Sequence, residues 1–86
     1  MTNPVYRTPE WQRVRRIVLA RDGRRCQIGY PGCLGRADAV DHIVELAEGG
    51  PRYALENLRA ACTPCNTRKM VAWRERRRQR REIRDW

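Results

Sequence analysis

Ala39-Val40-Asp41-His42-Ile43-Val44, closed by Glu48-Gly49-Gly50-Pro51 and followed later by Cys62-Thr63-Pro64-Cys65-Asn66, is the stretch on which the fold turns. Its first six residues have the length and β-branched content of a short strand. Alternation puts Val40, His42 and Val44 on one face and Asp41 and Ile43 on the other. The Gly-Gly-Pro run is a turn signal, and Tyr53 to Leu58 reads as a loop or a single helical turn. Thr63-Pro64 starts a helix that should continue through the Arg-rich end, as far as Ile83. Packing should weaken past about Arg77, because only Met70, Trp73 and the stem of Arg77 carry an apolar stripe onward.

Working outward, the pair Cys62-x2-Cys65 has a counterpart in Cys26-x6-Cys33, 28 residues upstream. In a chain with no secretory signal, two such pairs favour one tetrahedral four-cysteine zinc site over two disulfides. Gly29, Pro31 and Gly32 can fold the wider gap back on itself. Buried free thiols and a redox dithiol at Cys62-Thr63-Pro64-Cys65 are the alternatives, but neither accounts for all four residues together. Four thiolates would fill the tetrahedron, so a zinc there is structural and chemistry must sit elsewhere. A domain of 86 residues without phenylalanine has need of such a staple, since its core alone buries little.

Before the cysteines, Thr8-Pro9-Glu10 looks like a helix start and Asp22-Gly23 like its end. Trp11, Val14, Ile17 and Val18 would form its apolar stripe. Met1 to Arg7 reads as a poorly ordered lead-in. No run is long and apolar enough for a membrane span or a signal peptide, so membrane and secreted classes start low. Charge is concentrated at the ends. Residues 1–25 carry 7 basic and 2 acidic side chains, residues 26–66 carry 3 and 5, and residues 67–86 carry 9 and 3. Basic ends around an acidic middle suit a polyanionic partner, because arginine binds phosphate oxygens and releases condensed counterions. Every basic residue but Lys69 is arginine.

The single histidine, His42, follows an aspartate. Alone, a strand histidine is more often structural than catalytic. In the order Cys26…Cys33…Asp41-His42-Ile43…Gly49-Gly50…Asn57-Leu58…Cys62-x2-Cys65-Asn66…Lys69, however, the chain resembles the HNH endonuclease family over about residues 24–70, and small bacteriophage and prophage members in particular. The resemblance implies an α+β fold. Two strands joined by a long loop and followed by a helix form a zinc-stabilised ββα-metal domain, with a helix before it and a basic helix after it. Residues 1–86 would then be one nuclease domain, with its motif core at 24–70 and a basic C-terminal segment at 71–86.

Carried over residue by residue, the resemblance implies that His42 is the general base, that Asp41 is a ligand of a catalytic divalent metal, and that Asn57 holds the inter-strand loop. Asn66 stands where the family usually has histidine as the second metal ligand. A carboxamide oxygen there should shift preference toward Mg²⁺ or Mn²⁺. Val44-Glu45 replaces the proline common after Asp-His-Ile; Glu45 and Glu48 read first as solvated loop carboxylates, with a supplementary metal ligand or a water-holding carboxylate as the alternative. Lys69 suits a phosphate, and with Arg68, Arg74, Arg76 and Arg77 it forms the expected nucleic-acid contact. Trp11 and Trp73 are expected to cover the cysteine knuckle. The implied activity is DNA phosphodiester hydrolysis to 3′-hydroxyl and 5′-phosphate ends. The implied setting is the cytoplasm of an infected or lysogenic bacterium, in DNA packaging with the phage terminase, in a mobile element or in a restriction system, among which the sequence does not select. A catalytically silent zinc module that binds nucleic acid or docks on a larger assembly is the rival reading, and Asp41-His42 with Asn57 is what separates the two.

Overall fold

The computed structural model describes residues 4–84. Its elements are an N-terminal 3-10 turn at Pro4–Arg7, helix α1 (Pro9–Arg21), strand β1 (Ala39–His42), strand β2 (Leu58–Ala61) and helix α2 (Thr63–Arg84). Further 3-10 turns at Leu46–Glu48 and Leu55–Asn57 lie between the strands. β1 and β2 pair antiparallel, with Ala39 opposite Ala61 and His42 opposite Leu58. The architecture is therefore α+β, in ββα order with one helix ahead of it. Of the expected lead-in, Met1 to Asn3 lie outside the described residues, while the rest is the ordered 3-10 turn.

α1 has the boundaries that its capping residues predict. The Thr8 hydroxyl accepts from the Trp11 backbone N–H at 3.1 Å, Pro9 opens the helix, and Asp22 closes it before Gly23 turns at φ 60°. Trp11, Val14, Val18 and Leu19 are buried, whereas Ile17 is 44% exposed. The stripe thus turns toward Leu19, because α1 lies across both strands and meets Val40, Leu58 and Ala60 from above. Small alanines at 60 and 61, both fully buried, let the elements approach closely.

β1 stops at His42, two residues short of the expected end, and Val44 is 47% exposed. The ladder ends there because the next backbone groups bond to Asn57 instead. Ile43 N–H donates to its carbonyl at 2.8 Å and Val44 N–H to its side-chain oxygen at 2.8 Å. On the free side of β2, Asp22 accepts the Ala60 N–H at 2.8 Å and Gln27 N–H donates to the Ala60 carbonyl at 2.9 Å, so that edge is covered.

α2 begins at Thr63, and Asp38 supplies the cap. Its carboxylate accepts the Thr63 backbone N–H at 3.0 Å and the Thr63 hydroxyl at 2.9 Å. The helix runs unbroken to Arg84, one residue past the expected end, and its described side chains beyond Arg77 are exposed, as the fading apolar stripe predicts. Arg, Glu and Gln are strong helix formers, and the i, i+3 ion pair between Arg78 and Glu75 adds support where packing gives none.

Candidate active site and cysteine cluster

Two groups of side chains gather at the ββα unit. In the first, the sulfurs of Cys26, Cys33, Cys62 and Cys65 all lie within 4.8 Å of one another, and all four are free thiols. The loop ahead of β1 brings Cys26 and Cys33, pinned by a bridge between Arg25 and Arg36 and by Cys26 N–H donating to the Gly35 carbonyl at 2.8 Å. The β2–α2 junction brings the other pair. Burial raises the Cys26 thiol, yet backbone N–H groups of Cys62, Gly29 and Ile28 and the Cys33 side chain together bring it down to about 6. Backbone donation from Leu34 lowers Cys62 against its burial. Burial and the neighbouring Cys62 push Cys65 up to about 12. Four sulfurs gathered this closely, two of them fully buried, could hold a metal ion.

The second group surrounds a cavity of about 70 Å³ lined by Tyr6, Asp41, His42, Glu45, Asn66 and Met70, together with Val40. Strand alternation sends His42 toward α1 and Asp41 toward α2. Both are buried, at 4% exposure each. The His42 ring stacks on Trp11 at 5.2 Å and 18°, with Tyr6 edge-on to Trp11 at 5.1 Å. Its Nε2 lies 3.0 Å from the Arg52 carbonyl. A carbonyl can only accept, so Nε2 carries the proton and Nδ1 is the basic nitrogen of the ring.

Asn57 fixes the loop that presents this carbonyl. Its amide nitrogen donates to the carbonyls of Val44 at 3.1 Å and Pro51 at 3.2 Å, while its oxygen accepts from Val44 N–H. Gly50 permits the same closure, since a Cβ there would meet the Val44 carbonyl oxygen at 2.0 Å.

Asp41 uses both oxygens. Oδ2 accepts from Arg59 Nε at 3.0 Å across the strand pair and Oδ1 from Lys69 Nζ at 3.0 Å. Lys69 Nζ also reaches Glu45 Oε1 at 2.8 Å and the His42 carbonyl at 2.6 Å. Glu45 is thus half-buried at the cavity and ion-paired, not the solvated loop carboxylate that the sequence suggested. Glu48 is engaged too, accepting from Trp73 Nε1 at 2.9 Å.

The remaining expected residues separate. Asn66 and Lys69, one helical turn apart on α2, share the Asp41 side. Arg68 points the other way and donates to the Pro31 carbonyl at 2.6 Å. Arg74, Arg76 and Arg77 are exposed, and Arg77 lies over the Trp73 ring at 5.3 Å. Arg76 lines a groove of about 280 Å³ with Glu45, Lys69 and Trp73 that adjoins the cavity. Neither tryptophan covers the cysteines. Trp11 backs His42, and Trp73 is held by Glu48 and Arg77. Two basic residues of α1 are spent on the protein itself, Arg21 on the Leu55 and Leu58 carbonyls and Arg15 on that of Asp38. Sequence reasoning missed Tyr6, Trp11 and Arg59 as neighbours of the site. The alternating strand pattern, which puts Arg59 opposite Asp41, was the one available signal for any of them.

Comparison with known proteins gives these groups a context. Residues 24–71 match the HNH endonuclease family, a stretch that includes all four cysteines and both Asp41 and Asn66. The Gene 4 protein of Mycobacterium phage L5 is 38% identical over 64 residues, which span 73% of this chain and 61% of that protein's length. The fold also matches the crystal structure of the deep-sea thermophilic bacteriophage GVE2 HNH endonuclease with manganese ion. That match has a TM-score of 0.66 and 33% identity, and covers 85% of this chain and 82% of the other. The family match covers more than half of the chain, the similar fold covers most of it, and the chain belongs to the HNH endonuclease family.

Proposed function

We propose that the protein is a metal-dependent endonuclease that hydrolyses DNA phosphodiester bonds. In this reading His42 is the general base, Asp41 and Asn66 hold a catalytic Mg²⁺ or Mn²⁺, and Asn57 keeps His42 oriented. The observation that carries the proposal is the single cavity lined by Asp41, His42 and Asn66, in which the hydrogen bond to the Arg52 carbonyl makes Nδ1 the proton acceptor. The donor set suits the ion. Carboxylate and carboxamide oxygens select hard cations, and an ammonium already bridges Asp41 to Glu45 at the cavity.

Hydrolysis of a phosphodiester requires a deprotonated water in line with a poor leaving group. Nδ1 of His42 would take that proton, with the ring held by Trp11 on its face and by the Arg52 carbonyl at its far nitrogen. A divalent ion at Asp41 and Asn66 would supply charge stabilisation at the scissile phosphate and the departing O3′. The cysteine cluster suits a structural zinc. Tetrahedral bonds of about 2.3 Å place sulfurs roughly 3.8 Å apart, and the Cys33 and Cys62 sulfurs are separated by 3.9 Å. Arg74, Arg76 and Arg77, with Lys69, would follow the DNA backbone away from the site, and Arg68 would reach it only by releasing the Pro31 carbonyl. A role in phage DNA packaging beside the terminase is the finer part of the reading, and the phage origin of the similar proteins supports it.

The test is conversion of supercoiled plasmid to nicked or linear form with Mg²⁺ or Mn²⁺. His42→Ala should lower the rate by about 10²–10⁴-fold at unchanged fold. Equal conversion by both proteins would favour an inert nucleic-acid-binding zinc module.

A further inference from the structure

Lys69 is the chain's single lysine, and its ammonium has three hydrogens to donate. Three oxygens take them, Asp41 Oδ1 at 3.0 Å, Glu45 Oε1 at 2.8 Å and the His42 carbonyl at 2.6 Å. The side chain is only 12% exposed and Asp41 only 4%. Two carboxylates and a carbonyl converging on one largely covered positive charge make a cation seat, and its present occupant belongs to the protein.

Glu45 reaches this seat from outside the strand. Glu45 sits between the end of β1 and the Leu46–Glu48 turn. The Gly50 N–H bonds its carbonyl at 3.0 Å, and the close passage of Gly50 against Val44 tightens the same bend. The loop is therefore closed in a way that fixes the direction of the Glu45 side chain, and Asn57 fastens it from the other side.

We propose that Glu45 is a third protein ligand of the catalytic cation, and that Lys69 competes with that cation for the oxygens of Asp41 and Glu45. The proposal rests on the nuclease reading above. An ammonium and a hard divalent ion require the same feature of their neighbours, an oxygen lone pair backed by negative charge. Both cannot hold the same oxygen face at once. Divalent ion binding releases Lys69 from Asp41 and Glu45, and the freed ammonium lies beside the groove lined by Arg76 and Trp73, where a phosphate would meet it. Lys69 thus neutralises two close carboxylates while the seat lacks a metal, at a cost in metal affinity.

The experiment is a Mn²⁺ titration of the full chain with its cysteine site loaded with zinc, reading free Mn²⁺ by electron paramagnetic resonance. Zinc content and thermal unfolding midpoint serve as fold controls. Lys69→Met should tighten Mn²⁺ binding several-fold. Because Glu45 is also the partner of Lys69, its own part is read in the Lys69→Met background, where adding Glu45→Gln should weaken binding about tenfold or more. Unchanged affinity for that double variant, with binding still abolished by Asp41→Asn, overturns Glu45 as a ligand and leaves the nuclease reading standing. Weaker Mn²⁺ binding by Lys69→Met overturns the competition. Binding indifferent to Asp41→Asn removes the seat itself, and with it the assignment of the catalytic ion.

Discussion

The cysteine cluster and the cavity beside it assemble their donors in opposite ways. The cluster takes its four sulfurs from two tight turns, each supplying a pair at short spacing, so that chain connectivity does most of the gathering. The cavity draws on the N-terminal turn, β1, the loop after it and α2, and hydrogen bonds and ion pairs hold these parts in place. Sulfur selects a soft ion and leaves no coordination position open, while oxygen selects a hard one and leaves room for water and phosphate. In the proposed reading, this small fold separates cohesion from chemistry by ligand softness. Loss of the sulfur site should therefore cost the fold, and loss of the oxygen site should cost activity.

The largest expected effect lies on the sulfur side. Cys62→Ser, or removal of the metal with a strong chelator, should abolish cooperative unfolding as followed by circular dichroism, since such a site supplies on the order of 10 kcal/mol of folding free energy. Persistence of a sharp transition would show that the hydrophobic core suffices without the staple. Next comes the loop that serves the oxygen side. Asn57→Ala leaves the Val44 N–H and the Val44 and Pro51 carbonyls without their partner. It should cost about 3 kcal/mol in urea unfolding and reduce cleavage more than it reduces zinc content.

The smallest effect belongs to neither site. The Asp22 carboxyl is held below its ordinary value of 3.8, first by the Arg21 side chain and further by the Ala60 N–H, against its burial. A carboxylate depressed in the folded state contributes stability that is present above 3.8 and is lost as pH falls through its folded value. Asp22→Asn should thus lower the unfolding free energy measured in urea at pH 6 by about 1.5 kcal/mol, and the gap to wild type should shrink as the pH falls from 3.8 through the folded-state value. Metal content and cleavage at neutral pH should stay as in wild type. A change in either would mean that α1 and the two sites are coupled through β2.

Much of this molecule is legible in its residues. Thr8-Pro9 and Asp22-Gly23 mark α1 because capping chemistry is local, and the cysteine spacing foretells the cluster because a knuckle is local too. The ordered HNH signature brings Asp41, His42 and Asn66 to one cavity. Contacts between distant segments were beyond reach. Trp11 against His42 depends on how α1 crosses the sheet, and the same crossing buries Leu19 instead of Ile17. Glu45 looked solvated because nothing in its neighbours reveals the bend that Gly50 and Asn57 impose. The extent of α2 was legible too, to within one residue of its end, since arginine and glutamate sustain a helix even where nothing packs on it.

The central claim is that chemistry resides on the oxygen side and cohesion on the sulfur side. Plasmid nicking by Asp41→Asn in Mn²⁺, with zinc content and unfolding midpoint measured on the same sample, tests it most directly. The account predicts a folded protein with one bound zinc whose nicking rate falls at least a hundredfold. Wild-type nicking by that folded variant would contradict it.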